Sequence, residues 1–144
     1  MVVIDVNVLI AAFDQAHSHH SRAQPWLEQR LGDPTEQVIV PDLVWVGFVR
    51  IITNSAVYPN PATLAAAANF VRAVQAAPGY GEIPARRGAV GRFLNLATEN
   101  ETPSRHVTDA YIASVARHLD CPLATFDKGL RRFESLDVIA PGAD

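Results

Sequence analysis

The chain has 144 residues, 49% hydrophobic and 19% charged, with a net charge of −3; we read it as one soluble globular domain spanning residues 1–144, long enough to bury a core without staples. Its single cysteine, Cys121, excludes an internal disulfide and a cysteine metal cluster. No apolar run is long enough to cross a membrane and no charged leader precedes one, so a cytoplasmic location with no membrane partner is expected.

Val2 to Ile4 is a short, wholly apolar strand of the kind found inside a parallel sheet. Val6 to Phe13 follows as a short helix. Ser21 to Leu31 carries a helical stripe of Ala23, Trp26, Leu27 and Leu31, with Pro25 in its first turn. Val38 to Val40 is a second strand. Leu43 to Ile52 is apolar almost throughout and fits strand or helix; its length and Asp42 as N-cap favour a helix. Asn60 and Pro61 open a helix reaching Ala77, and Tyr80 to Ile83 is a third strand. Arg86 to Thr98 is helical. Thr108 or Asp109 caps a helix to Leu119, Leu123 to Phe126 is a fourth strand, and Val138 and Ile139 form a short last one. This alternation predicts an α/β fold, a doubly wound parallel sheet of four to five strands flanked by helices. The segment from Leu43 to Tyr58 holds Trp45, Phe48, Val49, Ile52, Val57 and Tyr58, more apolar surface than one face hides. An exposed patch for a partner is expected there.

Four acidic residues fall at one structural register, just after a strand or at a helix start: Asp5, Asp42, Asp109 and Asp127. In a parallel sheet those positions converge on the edge where ligands bind. Each has a plainer role open to it. Asp5, Asp42 and Asp109 could cap or begin helices, and Asp127 could be a turn residue before Lys128-Gly129. Carboxylates crowded at one edge repel one another unless a hard cation sits between them, and such cations hydrolyse phosphodiesters. Eleven of the twelve basic residues are arginine, which suits phosphate but also fits a GC-rich genome. His17-Ser-His-His20 lacks a partner spacing for metal and reads as a solvated loop.

The segments Asp5-Val-Asn-Val-Leu, Gly47-Phe-Val-Arg-Ile-Ile-Thr, Thr108-Asp-Ala-Tyr-Ile-Ala and Thr125-Phe-Asp-Lys together resemble the PIN domain. More narrowly, they resemble the VapC-type toxins of bacterial toxin–antitoxin systems. The resemblance runs from the first strand to the last. It implies a metal-dependent endoribonuclease using Mg²⁺ or Mn²⁺, typically a homodimer, inhibited by a small cognate antitoxin. It places metal ligands at Asp5, Asp109 and Asp127. A second acid, usually glutamate, is matched by the shorter Asp42, as a further ligand or water positioner. Asn7 and Thr125 match supporting polar positions. Arg50, Arg86, Arg87 and Arg105 are candidates to hold the RNA backbone.

Two rivals remain. Haloacid-dehalogenase-like phosphatases would want an aspartate where Asn7 stands, and receiver domains an acidic pair at the first strand. A PIN-like module that binds RNA or antitoxin with weak or no catalysis is the other, favoured by aspartate rather than glutamate at 42.

Overall fold

The computed structural model describes residues 1–83 and 87–143. Five parallel strands form one sheet: β1 (Val2–Ile4), β2 (Val38–Ile39), β3 (Tyr80–Gly81), β4 (Leu123–Ala124) and β5 (Val138–Ile139), in the order β3-β2-β1-β4-β5. The apolar first strand lies at its centre. Val2 and Val3 pair with Val38 and Ile39 on one side; Val3 and Ile4 pair with Leu123 and Ala124 on the other. These four partners of β1 and β1 itself are buried, as a strand covered on both faces requires.

Among the described residues, six helices flank the sheet: α1 (Val6–Phe13), α2 (His20–Gly32), α3 (Asp42–Ile52), α4 (Leu64–Gln75), α5 (Ala89–Glu99) and α6 (Val107–Leu119). Short 3₁₀ turns span Ser104–His106 and Lys128–Arg132. Helix α1 packs on α2 and α3, α3 packs on α4, and α5 pairs with α6, which lies against β1.

Several boundaries differ from the sequence expectation. Helix α3 begins at Asp42 itself, with Pro41 as its N-cap; the Pro41 carbonyl accepts from Val44 and Trp45. Proline suits that entry because it has no N–H to leave unpaired. Helix α4 is capped by Thr63, whose hydroxyl accepts from the Ala66 amide at 3.1 Å, rather than by Asn60 and Pro61. Helix α5 starts only after Gly88, whose φ of 74° is left-handed and outside any right-handed helix. The expected start at Arg86 lies outside the described residues.

The expected apolar patch is corrected as well. Trp45, Phe48 and Ile52 are buried in the core, because positions 45, 48, 49 and 52 share one helical face. Phe48 meets Phe13 of α1 edge-on at 5.6 Å and Phe70 of α4 at 5.1 Å, and Phe13 meets Phe70 at 5.3 Å. Three rings in mutual contact tie α1, α3 and α4 together. Leu43 and Val46 are the large apolar residues of α3 left exposed, with Val57 beyond it.

This orientation of α3 is testable. Phe48→Ala should cost about 3–5 kcal/mol as a cavity in the core, a melting shift of roughly 6–20 °C for a chain of this length. Val46→Ala, at a 65% exposed position, should stay within about 0.5 kcal/mol of the parent. Calorimetry of both variants reads the difference, and equal losses would contradict the assigned face.

Candidate active site

Asp5 stands one residue beyond the central strand. Its amide donates to the Ala124 carbonyl at 3.0 Å, the last bond of the ladder, and its extended backbone then turns into α1 as the N-cap. The side chain is buried. Oδ1 accepts from the Val6 amide at 2.6 Å; Oδ2 accepts from Asn7 Nδ2 and from Thr125 Oγ1, each at 2.7 Å. Burial pushes its pKa up, and the Thr125 and Val6 hydrogen bonds pull it down. The charges of Asp109 and Asp127 push it up again, and the net result is raised. A cap alone would not bury the carboxylate or bring other acids to it.

Asn7 and Thr125 join this carboxylate to the loop after β4. Asn7 Nδ2 also donates to Thr125 Oγ1 at 2.9 Å, and Asn7 Oδ1 accepts from the Phe126 amide at 3.0 Å. Thr125 Oγ1 accepts from the Asp127 amide at 3.0 Å as well. The hydroxyl thus donates once and accepts twice, its full capacity. Asp127 is exposed, and its Oδ1 accepts from the Gly129 amide at 2.7 Å. A Cβ at 129 would come within 2.9 Å of that oxygen, so glycine permits this close turn.

Asp109 lies in the first turn of α6. Its Oδ2 accepts from Arg132 at 2.9 Å and meets His106 Nδ1 at 2.9 Å. Arg105 Nε donates to His106 Nε2 at 3.1 Å, which leaves Nδ1 to donate to Asp109. Arg132 comes from the 3₁₀ turn after Asp127; its Nε is buried without a hydrogen-bond partner among the described residues.

Asp42 opens α3, which follows β2 on the other side of β1 from β4. It lines a cavity of about 160 Å³ with Arg92, Tyr111, Ser114, Val115 and His118, among others. On α6, residues 111, 114, 115 and 118 occupy the face opposite Asp109. The charges that reach Asp5 are those of Asp109 and Asp127. Asp42 follows β2 and Asp127 follows β4, each one strand over from β1 on opposite sides. Of the basic candidates, Arg105 is linked to Asp109 through His106. Arg50 is exposed in the last turn of α3, about 12 Å along the helix from Asp42. Arg87 is exposed, its carbonyl accepting from Arg92, and Arg86 lies outside the described residues.

Among the described residues, no three Asp, Glu, His or Cys side chains come close enough to share one ion. The donor set nevertheless fits a hard divalent cation in kind: three oxygen-only carboxylates, one of them buried and opposed by the charges of the other two. The side chains of Arg132 and His106 now satisfy Oδ2 of Asp109. Arg132 was absent from the sequence expectation. The sole signal for it was its place five residues after Asp127, and nothing local shows that its long side chain reaches α6.

The raised pKa of Asp5 carries a sign. Folding favours its protonated form, so its relative contribution is fully present below its ordinary value of 3.8 and is lost as pH rises through the folded value. In EDTA, the stability of the wild type relative to Asp5→Asn should therefore fall from about pH 4 upward and then level off. The slope matters more than the absolute values, because asparagine would set its amide against the Asn7 amide. Urea denaturation across the range measures it, and a flat difference would contradict the strained carboxylate.

The PIN domain family profile matches residues 2–136. The chain is 33% identical to Ribonuclease VapC25 of Mycobacterium tuberculosis over 143 residues, covering 98% of this chain and 99% of that protein. It is 31% identical to VapC ribonuclease Mb2897 of Mycobacterium bovis, covering 94% of this chain and 92% of that protein. Its fold is similar to a crystal structure of VapBC2 from Rickettsia felis bound to a DNA fragment from their promoter, with a TM-score of 0.71 at 14% identity, over 98% of this chain and 99% of that one. With its central Asp5 and the match from the first strand to the last, this chain belongs to the PIN domain family and, within it, to the VapC type.

Proposed function

We propose that the protein is a divalent-metal-dependent endoribonuclease, the toxin of a toxin–antitoxin pair, acting as one domain in the cytoplasm. The observation that carries this is the buried Asp5 carboxylate opposed by the charges of Asp109 and Asp127, in a chain similar over its length to VapC ribonucleases. Asp5, Asp109 and Asp127 would hold Mg²⁺ or Mn²⁺. The bound ion supplies Lewis-acid charge at the scissile phosphate. Asn7, Thr125 and the Val6 amide fix Asp5 in place. Arg132 steadies Asp109 and sets a guanidinium at the site, suited to a phosphate oxygen. Arg105, beside His106, is placed to hold the RNA backbone, a contact that positions a strand without reading it. Asp42 stands outside this trio.

A small antitoxin and a second copy of the chain are the proposed protein partners. Val46, Val57, Leu64, Val90 and Leu94 are large apolar side chains left at least half exposed, which gives such partners apolar surface to cover. Light scattering with and without the antitoxin tests this, and a monomer unchanged by antitoxin would contradict it. No helix among the described residues is long and apolar enough to cross a membrane.

One observation favours the second possibility, a module that binds RNA without cutting it: Oδ2 of Asp109 is already engaged by Arg132 and His106. Cleavage assays with Mn²⁺ separate the two. Asp5→Asn, Asp109→Asn and Asp127→Asn should each lose at least about a hundredfold in rate, the upper end of what supporting residues of a metal site cost. Asp42→Asn should lose less than about tenfold, within the range for a residue outside the metal ligands. Wild-type protein that retains RNA intact in Mn²⁺ would establish the binding module. Equal losses in all four variants would restore Asp42 to the site.

A further inference from the structure

We propose that the rings of His17, His19 and Phe126 form a stacking subsite for a nucleobase of single-stranded RNA beside the acidic constellation. The proposal rests on the ribonuclease function above and names where its substrate lies. The His19 ring is nearly parallel to that of Phe126, at 13° with centroids 4.2 Å apart. His17 continues the array, its ring 5.7 Å from His19 and tilted by 44°. The His19 amide donates to His17 Nδ1 at 3.1 Å, which fixes the two rings relative to each other. All three side chains are only half-buried. Each therefore keeps ring surface toward solvent, where a flat partner has room.

The array is tied to the acids by short links. Phe126 lies between Thr125, which donates to Asp5, and Asp127; its own amide is held by Asn7, which also donates to Asp5. The Arg22 guanidinium lies 5.6 Å from the Phe126 ring centre. The base of the Arg22 side chain lies close to the backbone at Gly142, where an added Cβ would come 3.2 Å from the Arg22 Cβ. Rings beside a positive charge are the pairing that single-stranded nucleic acid favours. Bases stack on the rings whatever their sequence, and the cation follows the backbone. His20, next in sequence, serves the fold instead, with Nδ1 2.9 Å from the Ala11 carbonyl. The loop His17-Ser-His-His20 is thus divided between packing and a surface of rings.

The test uses the full chain and a fluorescein-labelled pool of random-sequence single-stranded RNA. Binding is read by anisotropy in EDTA and cleavage by gel in Mn²⁺, with thermal melting of every variant. His19→Ala should bind at least about fivefold more weakly than wild type, the loss of one stacked base. His19→Phe, which keeps a flat ring, should bind within about twofold. His19→Ala that binds like wild type overturns the subsite, even if the wild type cuts RNA. His19→Phe as weak as His19→Ala also overturns it, because stacking is then not what the residue supplies. Wild type that binds no RNA in EDTA overturns the subsite, and if it also leaves RNA uncut in Mn²⁺ the ribonuclease function falls with it. Wild type that never cuts in Mn²⁺, with the His19→Ala binding deficit intact, overturns the ribonuclease function and leaves the subsite standing.

Discussion

A single buried carboxylate organises this end of the molecule. Asp5 follows the central strand, its amide held by the Ala124 carbonyl and its side chain buried. Desolvation disfavours its charge, and the charges of Asp109 and Asp127 disfavour it further. Three hydrogen bonds from Val6, Asn7 and Thr125 oppose that cost. The rest of the site follows from satisfying those donors. Asn7 also receives the Phe126 amide, and Thr125 receives the Asp127 amide, so holding Asp5 sets the path of the chain after β4. Among the described residues, Arg132 is the positive charge that answers Asp109. A buried carboxylate with a raised pKa at the end of a central strand is the kind of group that function, rather than packing, retains.

The architecture was largely written in the sequence. Apolar runs bounded by acids and prolines mark β1, β2 and β4, and a period of about 3.6 marks the helices. The elements that resisted were those decided by tertiary contact. Helix α3 is apolar nearly all round, so its sequence does not say which side is buried; the rings of Phe13 and Phe70 choose the side bearing Phe48. Strand β4 stops at Ala124, short of the expected Phe126: the Thr125 amide still bonds to the Ile139 carbonyl, but the Phe126 amide is held by the Asn7 side chain.

At the site, position along an element was readable and position across the sheet was not. Asp5, Asp42 and Asp127 all follow strands, and this register cannot distinguish β2 from β1 or β4. The order β3-β2-β1-β4-β5 puts Asp42 and Asp127 on opposite sides of Asp5, and the charges that raise the Asp5 pKa come from Asp109 and Asp127. Arg132 and His19 were hidden for a related reason. Each acts through a side chain that reaches another element, Arg132 to α6 and His19 to the loop after β4, and no local pattern records such a reach. The acids and the rings consequently form two neighbouring surfaces, one suited to a cation and phosphate, the other to bases.

The account turns on whether Asp5, Asp109 and Asp127 take up a divalent cation as one site. Electron paramagnetic resonance of Mn²⁺ titrated into the purified protein measures that directly, without RNA or catalysis. The account predicts that Asp5→Asn and Asp109→Asn each weaken Mn²⁺ binding by at least about tenfold, while Asp42→Asn leaves it close to wild type. Wild-type affinity for Mn²⁺ in Asp5→Asn would contradict it.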